Sequence, residues 1–120
     1  MNQINNLLAC EGKAIIGVPV EIGFPALYKG IFRMFRRFGQ FDAIPKHVLC
    51  ATFGFPPKER PLSEITPGFY FHYVHTGFDH RNLHTLLCEQ FTLQQVTSSP
   101  FSFFGLWLNP EAYFVIKKKS

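Results

Sequence analysis

The chain has 120 residues, with 12 basic and 8 acidic side chains and a formal net charge of +4 at pH 7. Its length predicts one globular domain over residues 1–120, and an apolar fraction of 47% is ample for a core. No stretch approaches the roughly twenty apolar residues of a transmembrane segment. The small positive charge is compatible with nucleic acid, an acidic protein or an anionic membrane surface as partner, and it does not decide between them.

The cysteines indicate a reducing compartment. Cys10, Cys50 and Cys88 are odd in number, lie about forty residues apart and form no CxxC pair, which is typical of a reduced cytoplasmic protein rather than a disulfide framework. Leu7 to Cys10 resembles a lipoprotein cleavage box. The residues before it carry no positive charge and only a short apolar run, so we predict a cytoplasmic protein.

Phenylalanine is unusually abundant. The chain contains 15 Phe residues, and a domain this small is not expected to bury them all. Exposed apolar surface commonly marks an interface. The composition therefore predicts a partner-binding or self-association surface.

The N-terminal third alternates between extended and helical patterns. Residues 1–11 are expected to form a short helix or a loose arm. Lys13–Ile22 is rich in β-branched residues and predicts a strand, in which Pro19 indicates an edge or a break. A turn at residues 23–25 precedes a helix that can begin at Pro25 and stop at Gly39.

This helix is predicted to be strongly amphipathic. At one hundred degrees per residue, one apolar face spans an arc of roughly 160°. It comprises Leu27, Tyr28, Ile31, Phe32, Met34, Phe35 and Phe38. The opposite, basic face carries Lys29, Arg33, Arg36 and Arg37, and no acidic residue interrupts it along this segment. The apolar face is expected either to pack on the sheet or to serve as an interface.

The middle of the chain is less clearly patterned. Residues 44–55 have no clean period, although Pro45 could begin a helix. Residues 56–61 form a Pro-rich loop that is a candidate mobile segment. Residues 69–75 form an aromatic run that predicts a central strand with two apolar faces.

The C-terminal part predicts a second amphipathic helix and a β-hairpin. Thr76 and Asp79 suit a helix start, and apolar residues at helical spacing continue to about Gln95. Residues 101–108 and 112–118 are rich in strand-forming residues and flank a turn at 109–111. The whole chain therefore predicts a small α+β domain with a mostly antiparallel sheet and two amphipathic helices.

Two basic clusters are candidate binding sites. Guanidinium groups suit phosphate and carboxylate because their planar fork forms paired hydrogen bonds. We therefore predict binding by the basic face and by the lysines at the C-terminus. The predicted binding residues are Lys29, Arg33, Arg36, Arg37, Lys117, Lys118 and Lys119.

The histidines offer a weaker metal hypothesis. His72, His75, His80 and His84 lie close together in the sequence, and His80, His84 and Cys88 follow each other at i, i+4 steps. An i, i+4 pair can bind one zinc ion, but all three residues extend too far along a helix to share one ion. The alternative is a structural role, in which His84 and Cys88 flank an apolar core face and are partly buried. We predict neither a metal nor another cofactor.

No spacing of nucleophiles, bases or carboxylates indicates catalysis, so the sequence favours a binding protein over an enzyme. The leading hypothesis is a small basic interaction protein, acting as an adaptor, accessory protein or inhibitor. It would bind a protein partner through exposed aromatics and the basic face. The alternatives are a direct nucleic-acid-binding protein and a small metal-dependent enzyme built on the His72–His84 cluster; attachment of the helix to a membrane surface also stays open.

Overall fold

The computed structural model describes residues 2–119. Its helices are α1 (Asn2–Leu7), α2 (Phe24–Arg37), α3 (Pro45–Thr52), α4 (His80–Gln90) and α5 (Gly105–Leu108). Its strands are β1 (Lys13–Pro19), β2 (Leu62–Thr66), β3 (Phe69–His72), β4 (Phe91–Ser99) and β5 (Glu111–Lys118). Single 3-10 turns span Phe41–Ala43 and Ser102–Phe104. The fold is α+β with antiparallel strand pairing, as predicted.

The described chain divides into two compact units. A terminal unit comprises residues 2–19 and 80–119, and a central unit comprises Val20–Asp79. The expectation of one domain over the whole chain therefore stays a prediction.

The terminal unit is built on a three-stranded antiparallel sheet with strand order β1-β5-β4. Strand β5 is central, and alternate side chains on it, Ala112, Phe114 and Ile116, are completely buried. Helix α4 packs on β4 and β5 and contributes Leu87, while β4 begins with the buried Phe91. This alternation of buried and partly exposed residues is the pattern of a sheet with one face on a core.

The central unit has a core of small side chains. Helix α2 packs against α3 and the 3-10 turn that precedes it. The buried apolar residues of this unit are Val20, Ile22, Ala26, Ala43, Val48 and Ala51. Strands β2 and β3 form a separate two-stranded sheet, with a turn at Pro67–Gly68 in which Gly68 has a φ of 84°. None of the unit's aromatic side chains is fully buried.

Several predicted elements are confirmed. Helix α2 has Pro25 in its first turn and ends just before Gly39. Helix α3 begins at Pro45. Strand β1 lies at the edge of its sheet and ends at Pro19, because proline has no N–H to donate to a further pair. Residues 56–61 form no helix or strand, as expected for the Pro-rich loop.

The boundaries in the C-terminal half are wrong in the sequence analysis. Helix α4 ends at Gln90 rather than near Gln95, because the residues from Phe91 pair with β5. The C-terminal hairpin is confirmed, but its first strand is β4 and not residues 101–108, which form a 3-10 turn and helix α5. Strand pairing is a long-range interaction that local periodicity does not report.

The aromatic strand is also misplaced in the sequence analysis. Strand β3 stops at His72 and pairs only with β2, so it is not the centre of a sheet. All of its residues are exposed. Its aromatic character therefore reflects surface apolar residues and not burial on both faces.

Candidate functional site

Most of the apolar face of helix α2 is exposed to solvent. Four side chains form an apolar stripe on its outer surface: Ile31, Phe32, Phe35 and Phe38. Phe32, Phe35 and Phe38 are 62%, 87% and 72% exposed, and Ile31 is 42% exposed. The expectation that the apolar face packs on the sheet is therefore wrong for these residues, while the alternative, an interface, stays open.

The inner surface of α2 is made of small residues. Ala26 and Gly30, one turn apart, are buried against α3. A Cβ added to Gly30 would lie 2.4 and 2.6 Å from the two methyl groups of Val48. Glycine therefore allows the close approach of α2 and α3, which the bulky apolar side chains of α2 would block.

A buried carboxylate binds two cations of the basic face of α2. Glu21, only 2% exposed, accepts hydrogen bonds from Arg33 Nη1 and Nη2, both at 2.9 Å, and from Lys29 Nζ at 3.1 Å. Lys29 Nζ also donates to the carbonyl oxygen of Val20 at 2.8 Å. Since an unpaired buried charge is costly, Glu21 requires these cations on its side of the helix.

A second buried carboxylate repeats this arrangement. Asp42 Oδ2 lies 2.5 Å from Arg37 Nη2 and 3.6 Å from Arg33 Nε. Arg33 Nη1 also donates to the hydroxyl of Thr76 at 2.8 Å. Arg33 thus links both carboxylates and the end of the central unit's chain. Three of the four residues predicted for the basic face are engaged in ion pairs within the central unit.

The ion pairs shift the titration of their members. Burial raises the pKa of Glu21, but the hydrogen bond from Arg33 and the charges of Lys29 and Arg33 outweigh it, so the net pKa lies below its ordinary value. For Arg33, burial lowers the pKa, and the bond and charge of Glu21 together with Asp42 outweigh it, so the net pKa is raised. Both shifts favour the charged pair.

Arg36 differs from the other three cations. Within residues 2–119 it has no carboxylate partner, and its guanidinium lies 5.7 Å from the centroid of the Phe32 ring, a cation–π distance. An open cavity of about 470 Å³ lies beside it. This cationic groove is lined by Lys29, Phe32, Arg33, Arg36 and Arg37. Its four cations face two carboxylates, so two positive charges are left uncompensated.

The C-terminal lysines line a different cavity, in the terminal unit. This open groove of about 450 Å³ is bordered by Cys10, Glu11, Thr92, Gln94, Lys117, Lys118 and Lys119. Lys117 Nζ is 2.6 Å from the exposed carboxylate of Glu11, and Lys119 donates to the carbonyl oxygens of Cys88 and Glu89 near the end of α4. The structure therefore brings the predicted binding residues together in two separate sets, each within its own unit.

The histidine cluster does not form a metal site. Among residues 2–119, no group of three His, Cys, Asp or Glu side chains is arranged to hold a metal ion. Cys88 Sγ lies 3.9 Å from His84 Nδ1. Both side chains are exposed, so the expectation that they are partly buried is wrong, although the His84 ring lies 6.1 Å from the ring of the buried Phe114. His80 is buried, whereas His72 and His75 are exposed.

A second group of exposed aromatics lies in the connection between β4 and β5. Phe101 makes edge contacts with Phe103 and Phe104, and the centroids of Phe103 and Phe104 are 4.2 Å apart. Trp107 in the same connection is 73% exposed. The buried side chain of Asn109 holds this aromatic loop. It accepts from Phe101 N at 2.9 Å and donates to the carbonyl oxygens of Phe101 and Gly105 at 2.6 and 2.8 Å.

The sequence analysis missed the two carboxylates that orient α2. The sequence analysis did not single out Glu21 or Asp42, and it assigned Asn109 only to a turn. The available signal was the position of Glu21 within an otherwise apolar run, VPVEIGF, where an acidic side chain is buried only if it is paired.

No protein-family model, curated protein or solved structure matches this chain. Across residues 2–119, none of the helices combines the length and apolarity needed to cross a bilayer.

Proposed function

We propose that the chain is a small interaction protein, an adaptor, accessory protein or inhibitor, that binds a protein partner through the apolar stripe of α2 and Arg36. The observation that carries the proposal is the outward orientation of the stripe, with Phe35 87% exposed on a helix whose opposite side is buried through Ala26 and Gly30. Exposed aromatic clusters of this kind are typical of the desolvated centre of an interface.

The composition of the stripe fits an energetic hot spot. Aromatic residues and arginine are enriched among the side chains that contribute most to binding, and they cluster at the centre of an interface. Each aromatic side chain can bury on the order of 150–250 Å². Three Phe residues with Ile31 and Arg36 supply the centre of such an interface, and the surrounding surface supplies its rim.

The surplus of exposed phenylalanine supports a binding role more broadly. Of the 15 Phe residues, 11 are exposed, and only Phe91 and Phe114 are buried. The three thiols are free, which supports a reducing, cytoplasmic location as part of the same proposal. Self-association is a further way of covering these surfaces.

The test uses the full chain as bait in a lysate of the source cells, with and without nuclease. We expect a stoichiometric protein that survives nuclease and is lost with Phe35→Ala, since truncating a hot-spot residue costs about 2 kcal/mol or more of binding. Phe53→Ala is the matched control, because Phe53 is also in the central unit and is 75% exposed. Capture that is insensitive to Phe35→Ala would refute the proposal.

A stability measurement ensures that the loss of capture is specific. Phe35→Ala is expected to change the free energy of unfolding by less than about 0.5 kcal/mol, as for surface substitutions. Phe91→Ala, which truncates a side chain that is 1% exposed, is expected to cost about 3–5 kcal/mol. Urea unfolding of both variants gives this comparison.

Direct nucleic-acid binding is the second candidate, and the two cationic grooves favour it. A phosphate backbone could occupy the groove beside Arg36 while a base stacks on Phe32. This candidate predicts oligonucleotide binding that weakens steeply with salt, and Arg36→Gln should reduce the salt slope by about one. No arrangement within residues 2–119 favours the metal-dependent enzyme.

A further inference from the structure

We propose that the element recognised by α2 is an amphipathic α-helix with an acidic flank, presented by the partner protein. This inference rests on the proposed function and specifies the partner's chemistry. It follows from the spacing of the apolar stripe, from the charge beside it and from the absence of an open backbone edge on α2.

The spacing of the stripe matches a helix–helix seam. Ile31, Phe35 and Phe38 of the stripe succeed each other at steps of 4 and 3 residues. This is the spacing by which two helices pack side chains between each other along a common line. From Ile31 to Phe38 the stripe covers seven steps of about 1.5 Å, or roughly 10 Å, which corresponds to about two turns of a partner helix.

The backbone of α2 excludes strand addition as the mode of recognition. An extended segment gains affinity by adding its N–H and C=O groups to an open strand edge. Helix α2 is continuous over its 14 residues, so its backbone groups are bonded along the helix. Recognition must therefore occur through side chains, as in helix packing.

Charge complementarity selects an acidic partner. The cationic groove runs along one side of the stripe. Arg36 in this groove has no carboxylate partner in residues 2–119, and Arg37, although paired with Asp42, is 46% exposed. At one hundred degrees per residue, the other side of the stripe is bordered by Leu27 and Met34. The partner helix should therefore carry Asp or Glu along one flank only.

The positive charges of the cationic groove disfavour a second copy of this chain as the partner bound to α2. Pairing α2 with another α2 would bring two cationic grooves to one interface, and like charges there oppose association. A helix with glutamates opposite Arg36 instead forms new ion pairs at the rim. Arginine is suited to this role because its fork binds carboxylate through two parallel bonds.

The experiment selects binders from a displayed library of random 18-residue peptides against the full chain. We expect the selected peptides to have apolar residues at alternating steps of 3 and 4 and a net negative charge. They should be helical when bound. Selected peptides without this spacing, or with neutral or positive flanks, would overturn the inference.

Variants of the chain test the two parts of the site separately. Binding of the best selected peptide, followed by fluorescence anisotropy, should weaken more than about 10-fold with Phe35→Ala and about 3- to 10-fold with Arg36→Gln. Lys46→Gln is the charge-matched control, since Lys46 is an exposed cation on α3, and it should leave affinity unchanged. Equal losses in the arginine and lysine variants would contradict a specific role for Arg36.

The two proposals fail in different ways. If Phe35→Ala abolishes capture of the cellular partner but no acidic helical peptide is selected, the inference falls and the proposed function stands. If capture persists in Phe35→Ala, the proposed function falls and the inference with it. Tighter binding of an oligonucleotide than of any selected peptide at the same salt concentration would replace both with the nucleic-acid function.

Discussion

At the residue scale, Glu21 determines which way α2 faces. Its carboxylate is 2% exposed and is bound by Lys29 and Arg33, which lie 8 and 12 residues later. A buried carboxylate without cations would cost several kcal/mol, so it fixes the basic face on the inside. The apolar stripe is exposed as a direct consequence.

Replacing this carboxylate should be costly. Glu21→Gln leaves Lys29 and Arg33, which are 18% and 17% exposed, without their shared partner. We expect a loss of about 3 kcal/mol in the free energy of unfolding, measured by urea denaturation. Glu11→Gln is the matched control. It removes the 88% exposed partner of Lys117 and should cost less than about 1 kcal/mol. Equal effects would contradict the role of burial.

At the element scale, α2 could be located from the sequence but not oriented. Pro25 and Gly39 mark its ends, and the 3.6-residue period identifies its faces. The period leaves open whether the apolar face packs inward or serves as an interface, and here ion pairs with two carboxylates outside the helix decide it. Likewise, Phe91 fits the helical spacing that begins at Leu83, but its pairing with Lys118 places it in β4.

The contact between α2 and α3 gives a prediction at the same scale. Gly30→Ala would place a Cβ 2.4 Å from Val48 Cγ1, so overpacking should cost about 1–3 kcal/mol despite the better helix propensity of alanine. Val48→Ala makes room for that Cβ. The double variant should therefore be more stable than the sum of the single changes predicts, by about 1 kcal/mol or more. Strict additivity in urea unfolding would show that the two side chains do not meet.

At the scale of the whole molecule, the two units differ in the size of the side chains that they bury. The terminal unit buries large side chains such as Phe91 and Phe114, whereas the central unit has a core of alanine and valine together with buried ion pairs. Composition predicted exposed aromatics correctly. It did not predict which Phe residues they are, because this depends on strand pairing and on the direction in which α2 faces.

Lowering the pH should reduce the free energy of unfolding because Glu21 becomes protonated. Its pKa is lowered in the folded state, so the unfolded chain takes up its proton first, near the ordinary glutamate pKa of about 4.5. The stabilisation is complete above that value and is lost as pH falls through the lower folded pKa. Urea midpoints between pH 7 and 2, in about 0.5 M salt to screen exposed pairs, should therefore fall on acidification. Glu21→Gln should flatten this dependence, and an unchanged pH profile in that variant would contradict the assignment.

The aromatic loop held by Asn109 has a spectroscopic consequence. Trp107 is the sole tryptophan of the chain and stands 73% exposed in that loop. The intrinsic indole fluorescence of the protein therefore originates at one surface position that lies outside α2. Emission maximum and quenching by iodide report whether this loop is covered. Binding of a partner at the aromatic loop can thus be detected optically, without any label.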